Sequence, residues 1–196
     1  MKNLYPKIRA LTVYCGSQCV GDPAYDQAAT ELAGILAANG ITLVYGGSGI
    51  GTMKVLADAM LAQGGKVVGV FTKSLREEEL HPGLTETIVV ETLAARKAEM
   101  IRRCDAIVAL PGSFGTLDEL FDAVAMRKMQ TGGHHHPIGV LNVNGYFDQL
   151  LEFLAHTIKV GYTSGQDAEI ILAESTPAAL LGRLNAAVKV CGVNGR

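Results

Sequence analysis

Residues 106–120, Ala-Ile-Val-Ala-Leu-Pro-Gly-Ser-Phe-Gly-Thr-Leu-Asp-Glu-Leu, constrain this chain more than any other stretch. The apolar run breaks at Pro111-Gly112 and helical spacing resumes near Gly115, so a buried strand must enter a backbone loop and then a helix N-terminus. A helix start exposes N–H groups without partners at the positive end of the macrodipole, which makes such a loop a ready anion site. Gly112 and Gly115 lack a Cβ and let backbone approach a ligand closely. Glu119 follows Thr116 by three residues, which places carboxylate and hydroxyl on one helix face near the loop. The same two residues also spell a capping box, in which both would only satisfy the helix start. On this stretch alone the two readings stand level.

Composition narrows the field. A chain of 196 residues that is 48% hydrophobic can bury a sizeable core as one domain spanning 1–196. With 17 basic and 19 acidic residues it has no general polyanion-binding character, so no nucleic-acid partner is expected. Its apolar runs fall far short of the roughly 20 residues that span a bilayer, and no secretory signal precedes the first strand; no membrane partner is expected. Cys15, Cys19, Cys104 and Cys191 form neither a C-x-x-C pair nor a disulfide framework, which fits a reducing cytoplasm.

Strand patterns fall at 8–15, 41–45, 66–71, 87–91, 105–110, 138–141 and 169–172. Helical spacing fills the intervals: from Asp22-Pro23 to Asn39, after Gly51 to Gly64, over 94–104, 116–129 and 146–160, and from Thr176-Pro177 onward. This alternation predicts an α/β fold: a single-domain, Rossmann-like, doubly wound parallel sheet of about six to seven strands with helices on both faces. Ligands of such sheets bind beyond the carboxyl ends of the strands, where the strand order reverses. Three glycine loops leave those ends, at 15–17, 46–51 and 111–115, while 72–85 reads as a solvated connection that could border the site. The second loop lacks a dinucleotide fingerprint, because Thr52 and Lys54 stand where its third glycine would fall. No Gly-Lys-Ser/Thr closes a P-loop either. A mononucleotide or sugar phosphate is the better ligand.

Thr92-Leu-Ala-Ala-Arg-Lys-Ala-Glu-Met100 followed by Leu110-Pro-Gly-Ser-Phe-Gly-Thr-Leu-Asp-Glu119 resembles the LOG family, cytokinin riboside 5′-monophosphate phosphoribohydrolases once labelled lysine decarboxylases. The resemblance extends over 14–17, 45–53 and 138–146. It implies hydrolysis of the N-glycosidic bond of a nucleoside 5′-monophosphate, AMP or a cytokinin riboside monophosphate, to free base and ribose 5-phosphate. It places Arg96 and Glu119 on catalytic positions. Substrate contacts would come from Ser17, Gly46, Gly47, Lys97, Pro111, Gly112, Ser113, Phe114, Gly115, Thr116 and Leu117, and from one of Glu78 or Glu79, with Glu79 carried forward as the candidate. No cofactor is implied, and relatives imply a homodimer or larger homo-oligomer.

Bond cleavage builds positive charge on the ribose, which a carboxylate at position 119 would stabilise while orienting or deprotonating water. A guanidinium is a poor proton donor, so Arg96 suits positioning and electrostatic stabilisation. The chain departs from the family pattern at Ala94, Ser48 and Ser113, and most over 125–137, a helix end and loop that shape the base pocket or subunit contact in relatives. Within it, His134-His135-His136 reads as a solvated loop with no metal assigned. Met126 and Met129 read as packing, at an oligomer surface if exposed. A competing reading is a non-catalytic nucleotide carrier or sensor resembling molybdenum-cofactor carrier proteins. True lysine decarboxylation is weakest, because no pyridoxal-phosphate lysine context is visible.

Overall fold

A computed structural model describes residues 3–18, 20–74, 77–129 and 135–188. Seven strands form one sheet: β1 (Ala10–Tyr14), β2 (Thr42–Tyr45), β3 (Val67–Thr72), β4 (Glu86–Val90), β5 (Ala106–Ala109), β6 (Ile138–Leu141) and β7 (Ile171–Glu174). Their order is β4-β3-β2-β1-β5-β6-β7, and every pairing is parallel. The chain thus starts in the middle, builds outward through β4, then returns to lay β5 against β1. That return is the switch point, and it puts the loops after β1 and β5 side by side.

The inner strands read as continuous apolar runs because both sheet faces are covered. On one face, α1 (Pro23–Ala38), α2 (Gly51–Ala62) and α6 (Pro177–Ala187) bury Leu32, Leu36, Leu56, Met60 and Leu181. On the other, α3 (Leu93–Arg102) and α4 (Phe114–Met129) bury Met100, Ile101 and Leu120, and α5 (Asp148–Lys159) leans on the same cluster through Leu150, Leu151 and Leu154. Each fully buried side chain of this size contributes about 1.5–3 kcal/mol.

Local signals set most boundaries. Asp22 caps α1 by accepting from the Ala24 N–H at 2.9 Å, and Pro23 occupies the first turn. Thr92 caps α3 by accepting from the Ala95 N–H at 3.1 Å. Several boundaries shift by one or two residues from the sequence expectation. α4 begins at Phe114, not 116, because the Ser113 carbonyl already accepts from the Leu117 N–H at 3.0 Å. α5 begins at Asp148 because Asn144, at φ 51°, and Gly145, at φ 72°, turn the chain before it. β7 pairs two residues later than expected, in register with β6 from Ile138↔Ile171. Among the described residues no helix is long and apolar enough to cross a membrane. Cys15 and Cys104 are buried free thiols, whereas Cys19, Cys191 and His134 lie outside the described residues.

Thr92→Ala removes the cap of the helix that carries Arg96. We expect a loss of about 1 kcal/mol, read as a fall of about 2–4 °C in thermal midpoint, with no change of fold by circular dichroism.

Candidate active site

The cap at Thr92 starts α3 so that Arg96, one turn in, points toward the carboxyl ends of β2 and β3. Its guanidinium is spent on three acceptors. Nε donates to the Val70 carbonyl at 2.9 Å, Nη2 to the Gly46 carbonyl at 3.0 Å, and Nη1 to Glu119 Oε1 at 2.9 Å. Both charged side chains are 11% exposed. Burial holds the Glu119 carboxyl above the ordinary carboxylate range, and Asp118 pushes the same way, while Arg96 and Lys97 draw it back. Because α4 starts at Phe114, Thr116 lies inside the first turn and Glu119 in the second. Neither position permits a capping box, and the carboxylate goes to Arg96 instead.

Gly46 is required for this arrangement. A Cβ there would stand 1.8 Å from Arg96 Nη2 and 3.4 Å from Met53 Sδ. Gly112 meets a comparable constraint, since its Cβ would lie 2.1 Å from Thr116 Oγ1 and 2.9 Å from the Gly16 nitrogen. The first and third loops therefore touch through bare backbone, joined by a Gly16 N–H to Pro111 carbonyl bond of 3.3 Å.

The second loop is clasped by the segment after β3. Gly49 N–H donates to the Glu79 carbonyl at 2.6 Å, the Ser48 hydroxyl to the same oxygen at 3.2 Å, and His81 N–H to the Gly47 carbonyl at 2.9 Å. His81 is buried, and its Nε2 meets Asp58 of α2 at 2.9 Å while Nδ1 accepts from the Gly83 N–H, which fixes the tautomer with the proton on Nε2. Residues 79–81 thus border the glycine loop, where the sequence reading favoured a solvated connection. Glu79 reaches the loop through its main chain.

Of the expected contact residues, Ser17, Ser113, Phe114 and Gly115 are exposed at the mouth, Pro111 and Thr116 are buried beneath it, and Leu117 is half-buried. Gly46 and Gly47 line the second loop, with Gly47 at φ 79°. Lys97 behaves differently. Its ammonium sits on Asp118 at 3.0 Å and Asp122 at 3.4 Å, tying α3 to α4. The sequence reading gave no role to these two acids, although their i, i+4 spacing on one helix face was visible. It also missed the Tyr146 hydroxyl, which donates to the Gly112 carbonyl at 2.7 Å.

The chemistry available is that of a buried carboxylate held by a guanidinium beside the glycine loop at 46–47. Burial pushes the Cys15 and Cys104 thiols up, that of Cys104 to about 12, so neither is a ready nucleophile. Among the described residues no group of three His, Cys, Asp or Glu side chains is arranged to hold a metal ion. A cavity of about 700 Å³ lies at the opposite end of the sheet, beside Ala10, Thr42 and Glu86. Its Arg102 and Arg103 are already paired with Glu99, and it contains neither Arg96 nor Glu119.

A family model described as "Possible lysine decarboxylase" matches residues 53–184. The chain is 39% identical to a rice protein (Oryza sativa subsp. japonica) named "Probable cytokinin riboside 5′-monophosphate phosphoribohydrolase", over 91% of this chain and 72% of that one. It is 36% identical to an Arabidopsis thaliana cytokinin riboside 5′-monophosphate phosphoribohydrolase, over 92% and 84%. Among solved structures, the molybdenum cofactor carrier protein of Chlamydomonas reinhardtii superposes with a TM-score of 0.66 at 18% identity, covering 91% of this chain and 96% of that one. At that identity the likeness is one of fold.

Gly46→Ala should force the Arg96 guanidinium off its carbonyl and away from Glu119. We expect a loss of about 1–3 kcal/mol in urea denaturation, well above the cost of Gly→Ala at an unconstrained turn.

Proposed function

Because the chain belongs to the LOG family, we propose that it is a phosphoribohydrolase that cleaves a purine nucleoside 5′-monophosphate, AMP or a cytokinin riboside monophosphate, to free base and ribose 5-phosphate. The observation that carries the reading is the buried Arg96–Glu119 pair at 2.9 Å, next to the 111–115 loop, whose Gly112, Ser113 and Phe114 N–H groups donate to no described residue. A carrier needs only the loops. A carboxylate sequestered from water and aimed by a guanidinium is a feature of chemistry.

In this reading the N–H groups at the start of α4 and the adjoining glycine loops take the 5′-phosphate. As the bond from C1′ to the base nitrogen breaks, the ribose gains positive charge, which the Glu119 carboxylate stabilises. Water then adds its oxygen to C1′ and its proton goes to Glu119, which returns it to solvent or to the departing base. Arg96 has three of its hydrogen bonds inside the protein, so its part is to aim and hold Glu119 rather than to grip the phosphate. Lys97, held by Asp118 and Asp122, fixes α3 against α4 and shapes the same wall. Assembly into at least a dimer fits the outer helices: α5 has no fully buried residue, and Phe153 and Met129 are 60% and 72% exposed.

Incubation with AMP should release adenine and ribose 5-phosphate. Glu119→Gln should lower kcat by at least about 100-fold, with Arg96→Ala comparable, because the carboxylate then loses its aim. Turnover that survives both substitutions would exclude this site. The active form is the ionised carboxylate and burial favours the neutral one, so activity should rise with pH through a midpoint above the usual value of about 4.3 for Glu. Glu119→Gln should abolish that acidic limb.

A further inference from the structure

The loop at 111–113 is pinned through three successive carbonyls, each from a different part of the chain. Pro111 C=O accepts from the Gly16 N–H at 3.3 Å, Gly112 C=O from the Tyr146 hydroxyl at 2.7 Å, and Ser113 C=O from the Leu117 N–H at 3.0 Å. In a trans peptide the N–H of the next residue points opposite to the carbonyl, and these bonds are trans. The three acceptors therefore set the directions of the Gly112, Ser113 and Phe114 N–H groups. None of those groups donates to a described residue. Two of the pins are backbone. The middle one is a side chain, and substitution can remove it alone.

Tyr146 is held in place without its hydroxyl. Its N–H donates to the Val143 carbonyl at 3.0 Å, and its ring stands edge-on to Tyr25 at 5.8 Å and to Phe147 at 5.0 Å. Asn142 fixes the same turn by accepting from the Phe147 N–H at 2.7 Å and donating to Asp148 at 2.7 Å. A ring with this support presents its oxygen to Gly112 at small entropic cost.

We propose that Tyr146 is a positioning residue of the anion cradle: through the Gly112 carbonyl it aims the Ser113 N–H at the phosphate of the substrate. This rests on the reading that the 111–115 loop takes the 5′-phosphate. It assigns a role to the 142–146 turn, which lies 34 residues from the loop in sequence between Tyr146 and Gly112.

Tyr146→Phe keeps both ring contacts and deletes only the donor. By calorimetry, its affinity for ribose 5-phosphate should fall about five- to tenfold, while affinity for free adenine stays unchanged and the thermal midpoint falls by no more than about 2–4 °C, the share of one hydrogen bond. For AMP, KM should rise more than kcat falls. Equal ribose 5-phosphate affinity in the two proteins, a parallel loss for adenine, or wild-type protein that binds no ribose 5-phosphate would each overturn the proposal. Wild-type protein that binds ribose 5-phosphate but cleaves no nucleotide would remove the hydrolase reading, while a phosphate-selective loss in Tyr146→Phe would still carry this one.

Discussion

One guanidinium, enclosed by two main-chain carbonyls and a carboxylate, is the contact on which the site depends. Taking two opposite charges out of water costs several kcal/mol per ion, and mutual attraction offsets this only when the remaining donors are also satisfied. Arg96 meets that condition at Val70, within β3, and at Gly46, just after β2. What the pair provides is therefore placement more than stability. It stitches α3 and α4 to the rim of the sheet and leaves Glu119 with a single orientation. The same enclosure raises the proton affinity of the carboxyl, so geometry and acidity come from one cause.

The fold was legible because its signals are local. Apolar runs too short for helices alternate with helical spacing, and a cap such as Asp22-Pro23 needs only neighbouring residues to be read. The start of α4 was less legible. Thr116 and Glu119 spell a capping box, and only the position of the Ser113 carbonyl shows that the helix begins earlier. Partners of long side chains on other elements were not legible from spacing. Arg96 and Glu119 are 23 residues apart, and only family resemblance put them together. Lys97 met its acids through the packing of α3 on α4, which no sequence period encodes. The clasp at Glu79 and His81 was hidden for a different reason: it is made mostly by backbone, which carries no residue signature.

The site divides its work between two kinds of element. In the proposed reading, strand ends and glycine loops supply backbone dipoles to the substrate. Helices supply the ionised groups and hold them from behind, at Thr92, at Lys97 and at Arg96 itself. The side chains of Ser17, Ser113 and Phe114 are exposed at the mouth, and substitution there disturbs the packed elements least.

The bare Cα at position 46 carries a consequence for how such a chain can diverge. The space that a methyl would fill is already taken by Nη2 of Arg96. While Arg96 keeps this position, any side chain at 46 must displace Nη2 from the Gly46 carbonyl, and loss of the arginine removes that conflict. The two positions, fifty residues apart, are therefore sterically coupled: a substitution at 46 acts first on the guanidinium that holds the acid.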